Sequence, residues 1–271
     1  MKKRASAGEK LLLYSAFMVP ALFIAAALAA PKISSYSPYG QNLKERFAPP
    51  SSSHIMGTDE FGRDVFARLI YAGRVSMAVA VVAVVISVFI GTALGLFAGF
   101  FGGWADSLIV KLIDIFLCMP VFFLILMVVA FWGPSVRNIM LVIGVTSWPG
   151  LARLVRAQVL SVSKRDYISA ARSLGYGRMR IIFVHILPNV LAPVFVACVL
   201  GLGGAILVES GISFLGLGVQ PPFASWGNML SSGRTYMGTA WWLSFWPGMA
   251  IFINVLAFNL VGEHLKERFG R

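Results

Sequence analysis

Charge is scarce in this sequence, and the scarcity decides its class. Of 271 residues only 13% are charged and 58% are hydrophobic, whereas a soluble globular domain has about 25% charged and about 45–50% apolar residues. Water is therefore not the main solvent of this chain. Acidic residues are the scarcest charges, 11 Asp and Glu against 23 Lys and Arg, which leaves a formal charge of +12. That excess does not mark a nucleic-acid binder, because apolar runs too long for a soluble DNA-binding domain separate the cations. Cysteine is nearly missing too. Cys118 and Cys198 both lie inside apolar stretches, which excludes a disulfide framework or a CxxC site and leaves the thiols as small hydrophobes. Also missing are a GxxxxGK[ST] phosphate loop, an HExxH helix, a GxSxG motif with partners and paired catalytic carboxylates. The expectation is a chain that is not an enzyme, binds no metal or cofactor, and neither binds nor hydrolyses ATP itself.

Long apolar runs are what the sequence has in plenty. A membrane span needs roughly 20 mostly apolar residues, and six such helices are expected near Leu11–Ala30, Val75–Phe97, Leu108–Phe131, Ile139–Val159, Ile181–Leu207 and Trp241–Val261. With the N-terminus inside, 15 of the 23 basic residues fall in cytoplasmic segments, so the positive-inside rule favours an all-α integral membrane protein in a lipid bilayer, with both termini cytoplasmic. A rival reading of the first run is a signal peptide, since Lys2, Lys3 and Arg4 precede an apolar stretch ending in Ala27-Leu28-Ala29. The run exceeds the roughly 7–15 residues of a signal-peptide core, which favours a retained span. The expected organisation is 1–56 as the first span and an external segment, 57–74 as an external or interfacial helix, 75–263 as the membrane core with a cytoplasmic loop at 160–180, and 264–271 as a cytoplasmic tail.

Four groups of residues stand out. Gly91, Gly95, Gly99 and Gly103 recur every four residues and line one helix face, a packing surface either within this chain or against a second membrane subunit. In the loop, Ser163 and Asp166 fit a capping box. Tyr167, Ala170, Ala171 and Leu174 make an apolar stripe at helical spacing, and Gly175 suits the stop. A helix of about eleven residues is marginal alone in water, so the stripe needs a partner; the other reading is a solvated connector resting on its own subunit. Ahead of the second span, Gly57-Thr58-Asp59-Glu60-Phe61-Gly62-Arg63-Asp64 precedes Arg68. Asp59 is expected to cap a helix from Glu60, Asp64 to pair with Arg68, and Phe61, Val65 and Leu69 to share a face. A metal site from His54, Asp59 and Asp64 is the weaker reading. Lastly, Gly216, Gly218, Pro221, Pro222, Trp226, Gly227 and Asn228 read as turns and aromatic anchoring. They make no dinucleotide fingerprint, because prolines stand where a helix should open.

Two resemblances join these groups. Ser169-Ala170-Ala171, then Gly175, then Leu187-Pro188 resembles the "EAA" signature of ABC importer permeases, with Ser169 where Glu is usual and His185 where Ile is usual. It implies a type I ABC importer transmembrane fold in which the loop, including Lys164, Arg165, Asp166, Tyr167, Arg172 and Leu174, is a coupling helix seated in a cleft of an ATPase. The stretch His54 to Ser76, the segment Phe214 to Asn228, and Trp246-Pro247-Gly248 through Phe258-Asn259-Leu260 resemble the C-type subunit of the peptide and nickel permease family. That implies a heterodimer with a second permease, two ATP-binding subunits carrying ATP and Mg, an extracytoplasmic binding protein and a place in the bacterial inner membrane. Short peptides are the expected cargo, with a nickel chelate or another small peptide-like solute as the alternative. A stand-alone channel or ion-coupled transporter would carry ionisable relays in its spans. The candidates for a relay are few, Asp114, His185 and Glu209, and each reads more simply as a satisfied or boundary residue.

Overall fold

The computed structural model describes residues 18–27 and 29–269. The expected first span is therefore seen only in part, and Lys2, Lys3, Arg4, Leu28 and Arg271 lie outside the described residues. Ten helices organise the rest: α1 Met18–Ala27, α2 Val65–Phe101, α3 Gly103–Cys118, α4 Val121–Trp132, α5 Val136–Thr146, α6 Trp148–Val162, α7 Asp166–Ser173, α8 Arg178–Phe214, α9 Trp226–Arg234 and α10 Trp242–Phe269. Short helical turns at Ala30–Ile33 and Leu43–Glu45 complete the set. Among the described residues no strand forms beyond an isolated bridge between Thr58 and Asp64.

Among the described residues four units are each long and apolar enough to cross a membrane: α2, α5 with α6, α8 and α10. The expected span Leu108–Phe131 is a bent pair, α3 and α4, meeting at 86°. Pro120 explains the break: it has no N–H to give the ladder, and it forces Met119 into an extended conformation (φ −97°, ψ 131°). The helices also outrun the apolar windows. α2 begins ten residues before the expected Val75 and absorbs most of the separate helix expected over 57–74, and α10 continues through the expected tail as far as Phe269.

Glycine sets how the long helices meet. Gly91, Gly95 and Gly99 face α6 within the same chain. A Cβ there would stand 3.0 Å from the Trp148 carbonyl oxygen, 2.6 Å from that of Ala152, and 2.7 Å from the Val159 Cβ. Both helices therefore run the same way along a seam too close for any side chain. Gly103 does not belong to this seam, because α2 ends at Phe101 and Gly102 and Gly103, at φ +64° and +57°, carry the turn into α3. Gly144 makes a comparable approach from α5, where a Cβ would lie 2.7 Å from the Ile86 Cβ. α3 returns antiparallel to α6 and is tied to it by Asp106–Arg156 (2.5 and 2.6 Å) and Asp114–Arg153 (2.5 Å). Asp114 is thus a paired residue.

Candidate functional site

The residues singled out in the sequence collect at opposite ends of α2, whose 37 residues span about 55 Å at about 1.5 Å per residue.

At the far end, α6 runs out through Ser163, still helical at φ −63° and ψ −17°, and Arg165 turns the chain (ψ 145°) into α7. The expected capping box is absent. Ser163 closes α6 rather than opening α7, and its hydroxyl is buried without a hydrogen bond. Arg165 is the N-cap and supplies no side-chain acceptor, while Asp166 sits in the first turn, where a carboxylate suits the helix dipole. The predicted stripe also divides. Ile168 and Ala171 are buried against Val155, Val159, Ile181 and Ile186, while Tyr167, Ala170 and Leu174 point away on the other face, with Leu174 72% exposed. The stop follows expectation: Gly175 at φ +76° donates to the Arg172 carbonyl and Tyr176 to that of Ala171, a Schellman closure. Lys164, Arg165, Arg172, Arg178 and Arg180 are exposed around the helix, and so is Ser169.

Leu187 and Pro188 mark a feature the sequence did not announce. Pro188 cannot donate to the Val184 carbonyl, and the chain just before it widens into a π-helix, Ile181–Ile186, with Leu187 N–H reaching back five residues to Ile182. On this turn the His185 ring stacks on Tyr176 (centroids 5.9 Å apart, 14°), and the Arg180 guanidinium lies 4.4 Å from the Tyr176 centroid. The start of α8 is thereby joined to the end of the α7 loop.

At the near end, residues 34–64 form a cap. Thr58 Oγ1 donates to the Glu45 carbonyl and accepts from Ala48 N–H at 2.8 Å, and its own carbonyl accepts from Trp242 Nε1 at 3.1 Å. Gly57, at φ +77°, has no room for a side chain, since a Cβ would lie 2.7 Å from Trp242 Nε1; at Gly62, φ +69°, one would overlap the Asn42 carbonyl. Two expectations fail here. Asp59 caps no helix; its Oδ1 accepts from Phe61 and Arg63 N–H (both 2.9 Å), and its Oδ2 meets Arg63 Nε at 2.6 Å and Arg68 Nε at 3.5 Å. Asp64 is the cap of α2, accepting from Ala67 N–H at 2.7 Å, and it pairs with His54 Nδ1 at 2.9 Å instead of with Arg68. Phe61 stays in the loop beneath the Arg63 guanidinium, while Val65 and Leu69 enter the core. Because Asp59 faces arginines, the trio His54, Asp59 and Asp64 does not converge.

The segment between α8 and α9 closes over the same end. Gly216 (φ +80°) ends α8, and Gly218 lies too close to Ser213 for a Cβ. The chain passes the cis Pro221–Pro222 peptide to Ser225, which opens α9 in a capping box with Asn228. Asn228 Nδ2 also donates to the Val219 and Phe223 carbonyls (3.1 and 2.9 Å). Gly227 packs on the backbone of Ser210, where a Cβ would meet the Ser210 Cα at 2.6 Å. Trp226, fully buried, donates Nε1–H to Leu69 O (3.1 Å) and its backbone N–H to Ser76 Oγ (3.2 Å). Ser76 and Ser213 in turn donate to the two Glu209 oxygens at 2.9 and 2.7 Å. Glu209, 0% exposed, is the hub that joins α2, α8 and α9.

This helical frame is shared with known proteins. The model of the family "Binding-protein-dependent transport system inner membrane component" matches residues 91–271. The chain belongs to this family. It is 45% identical over 257 residues to the dipeptide transport system permease protein DppC of Escherichia coli K12, covering 93% of this chain and 85% of that one. It is 42% identical over 252 residues to the di/tripeptide transport system permease protein DppC of Pseudomonas aeruginosa, covering 91% and 83%. The DppC of Alkalihalophilus pseudofirmus is 41% identical over 245 residues, covering 90% and 81%. A chain of the inward-facing MetNI methionine ABC transporter aligns with a TM-score of 0.59 at 17% identity, covering 75% of this chain and 96% of that one, a likeness of fold. The chain is a permease subunit of the ABC importer class and a multi-pass bacterial inner-membrane protein. Of the marked residues, those of 57–68 and 216–228 meet at one end of the fold and those of 164–188 lie at the other.

Proposed function

We propose that this chain is one of two permease subunits of an ATP-driven importer of short peptides, and that α7 couples it to a separate ATPase. The observation that carries the coupling is the divided face of α7. Ile168 and Ala171 hold the helix to its own chain, while Tyr167, Ala170 and Leu174 stay bare within a ring of cations. An apolar patch on a short helix with a charged rim fits a cleft on a partner whose walls are acidic. ATP and Mg belong to that partner, a binding protein delivers cargo to the opposite end, and a second permease completes the path. Peptides as cargo rest on the three DppC relatives.

A cysteine at Ala170 or Leu174, both exposed, should crosslink to the ATPase subunit in the assembled complex, and one at buried Ile168 should not. Peptide uptake into proteoliposomes should require ATP and the binding protein. Crosslinking at neither exposed position in a transporting complex would end the docking claim, and uptake driven by protons alone would end the ATP-driven reading.

A further inference from the structure

A cavity of about 540 Å³ lies between α2, α8 and the two interrupted helices, lined along α2 by Ala83, Val84, Ser87 and Val88 and along α8 by Ala197 through Val208. Its size falls in the roughly 300–1,000 Å³ of small-molecule sites. The remaining wall is made where backbone helices break: Leu117 and Val121 flank the Met119–Pro120 bend, and Thr146, Ser147, Pro149 and Gly150 form the junction of α5 and α6. Inside a bilayer, interrupted backbone is tolerated only where protein buries it or where it borders a wet cavity. Two interruptions here border one cavity.

The glycines of this wall differ from those of the α2–α6 seam. A Cβ on Gly150 or Gly204 would meet nothing within 4 Å, and one on Gly201 only Val84 at 3.4 Å. Glycine inside a helix costs about 1 kcal/mol relative to alanine, and at Gly150 and Gly204 no close helix approach offsets it. What the two residues leave is open space and uncovered backbone. The lining holds the hydroxyls of Ser87, Thr146 and Ser147 and no Asp, Glu, Lys, Arg or His.

We propose that this cavity is the chain's wall of the solute path, that Gly150 and Gly204 set its width, and that its hydroxyls and bare backbone take the backbone groups of a short peptide while leaving side-chain charge unread. The inference rests on the peptide-importer reading. Selection by charge then lies outside this wall, and a charge placed on it creates a selectivity that the parent lacks.

The test installs that charge after folding. In a complex carrying Gly204→Cys, Cys118→Ser and Cys198→Ser, the thiol is modified with a cationic or an anionic methanethiosulfonate. Uptake of dipeptides of net charge +1 and −1 is then compared. The cationic adduct should lower uptake of the basic peptide relative to the acidic one by about tenfold, and the anionic adduct should invert that ratio, since a fixed charge in a low-dielectric path repels its like. Equal effects on both peptides with either reagent, or no effect, overturn the assignment. If Gly204→Cys prevents assembly, Ser87→Cys carries the same comparison with the same overturning outcome. A parent complex that imports no peptide at all defeats the peptide reading and this inference together, whereas import without inversion defeats the inference alone.

Discussion

The two ends of α2 are built on opposite plans. At its start, polar side chains are spent inside the chain: Thr58 ties Glu45 and Ala48 together, Asp59 gathers Arg63 and Arg68, Asp64 caps the helix and holds His54, and Glu209 takes hydroxyls from α2 and α8. At the other end, α7 is seated through Ile168 and Ala171 and leaves its cations and half of its apolar surface outward. Buried polar groups satisfied in this way specify one arrangement, so the start of α2 behaves as a fixed cap. A short helix held by two side chains gains its stability from packing rather than from its own length, so the α7 end is the place where a partner adds most. Substitutions should therefore cost stability at one end and transport at the other.

The largest loss of stability is expected from Gly57→Leu. A residue with a side chain resists φ +77°, and the Cβ would stand 2.7 Å from Trp242 Nε1, so strain and overpacking together should cost more than about 3 kcal/mol. Little folded protein should be recovered by fluorescence-detected size exclusion. Normal recovery with an unchanged melting temperature would show that the cap is not the packed unit described. In the same cap, Glu209→Leu strips the acceptor from Ser76 and Ser213 and should cost about 1–3 kcal/mol. Glu209→Gln keeps one acceptor oxygen and should lie between the leucine variant and the parent in thermal melting.

On α7 the comparison narrows to two faces of one helix. Ile168→Asp buries a carboxylate among Val155, Val159 and Ile186 and should cost about 2–4 kcal/mol. Leu174→Asp, at a side chain 72% exposed, should change stability by no more than about 0.5 kcal/mol. Its ATP-driven uptake should nevertheless fall about tenfold or more, an effect equivalent to roughly 1.4 kcal/mol of lost docking. Equal melting losses for both variants would mean that α7 is buried on both sides and has no face to offer.

How much of this was legible beforehand depends on whether a feature is local. The apolar runs of α2, α8 and α10, the glycine stop at Gly175 and the seam at Gly91, Gly95 and Gly99 are written in short-range patterns, and the structure follows them. The four-residue spacing then ran on to Gly103 because a pattern of spacing does not see that Gly102 has already turned the chain. Pro120 was in plain view, but the apolar residues on both sides outweighed it in a window average, and the span breaks there. The partners of Asp59 and Asp64 could not be read locally. Two aspartates five residues apart compete for the same cap, and His54 and Arg68 decide between them from outside the turn. The role of Glu209 was hidden for the same reason, since Ser76 lies 133 residues away. The α7 stripe is one residue narrower than its spacing suggests, because Ala171 joins Ile168 in the core of its own chain while Tyr167, Ala170 and Leu174 stay exposed.

The smallest effect should come from Ser169→Glu, which restores the residue usual in the EAA signature. Ser169 is exposed on the fourth residue of α7, three before Arg172 and four after Arg165. A glutamate there is a better helix former than serine, meets the positive end of the helix dipole and gains an i,i+3 cation, each contribution amounting to about 0.2–0.5 kcal/mol. The melting temperature should rise by about 1–3 °C at most. Nothing on the inner face of α7 changes, so if docking runs through Tyr167, Ala170 and Leu174, uptake per ATP hydrolysed should stay within about twofold of the parent, far inside the tenfold that about 1.4 kcal/mol would bring. A steep fall in that ratio at an unchanged melting temperature would extend the bare docking face to Ser169, and would make the serine a residue fitted to its own ATPase rather than a tolerated departure.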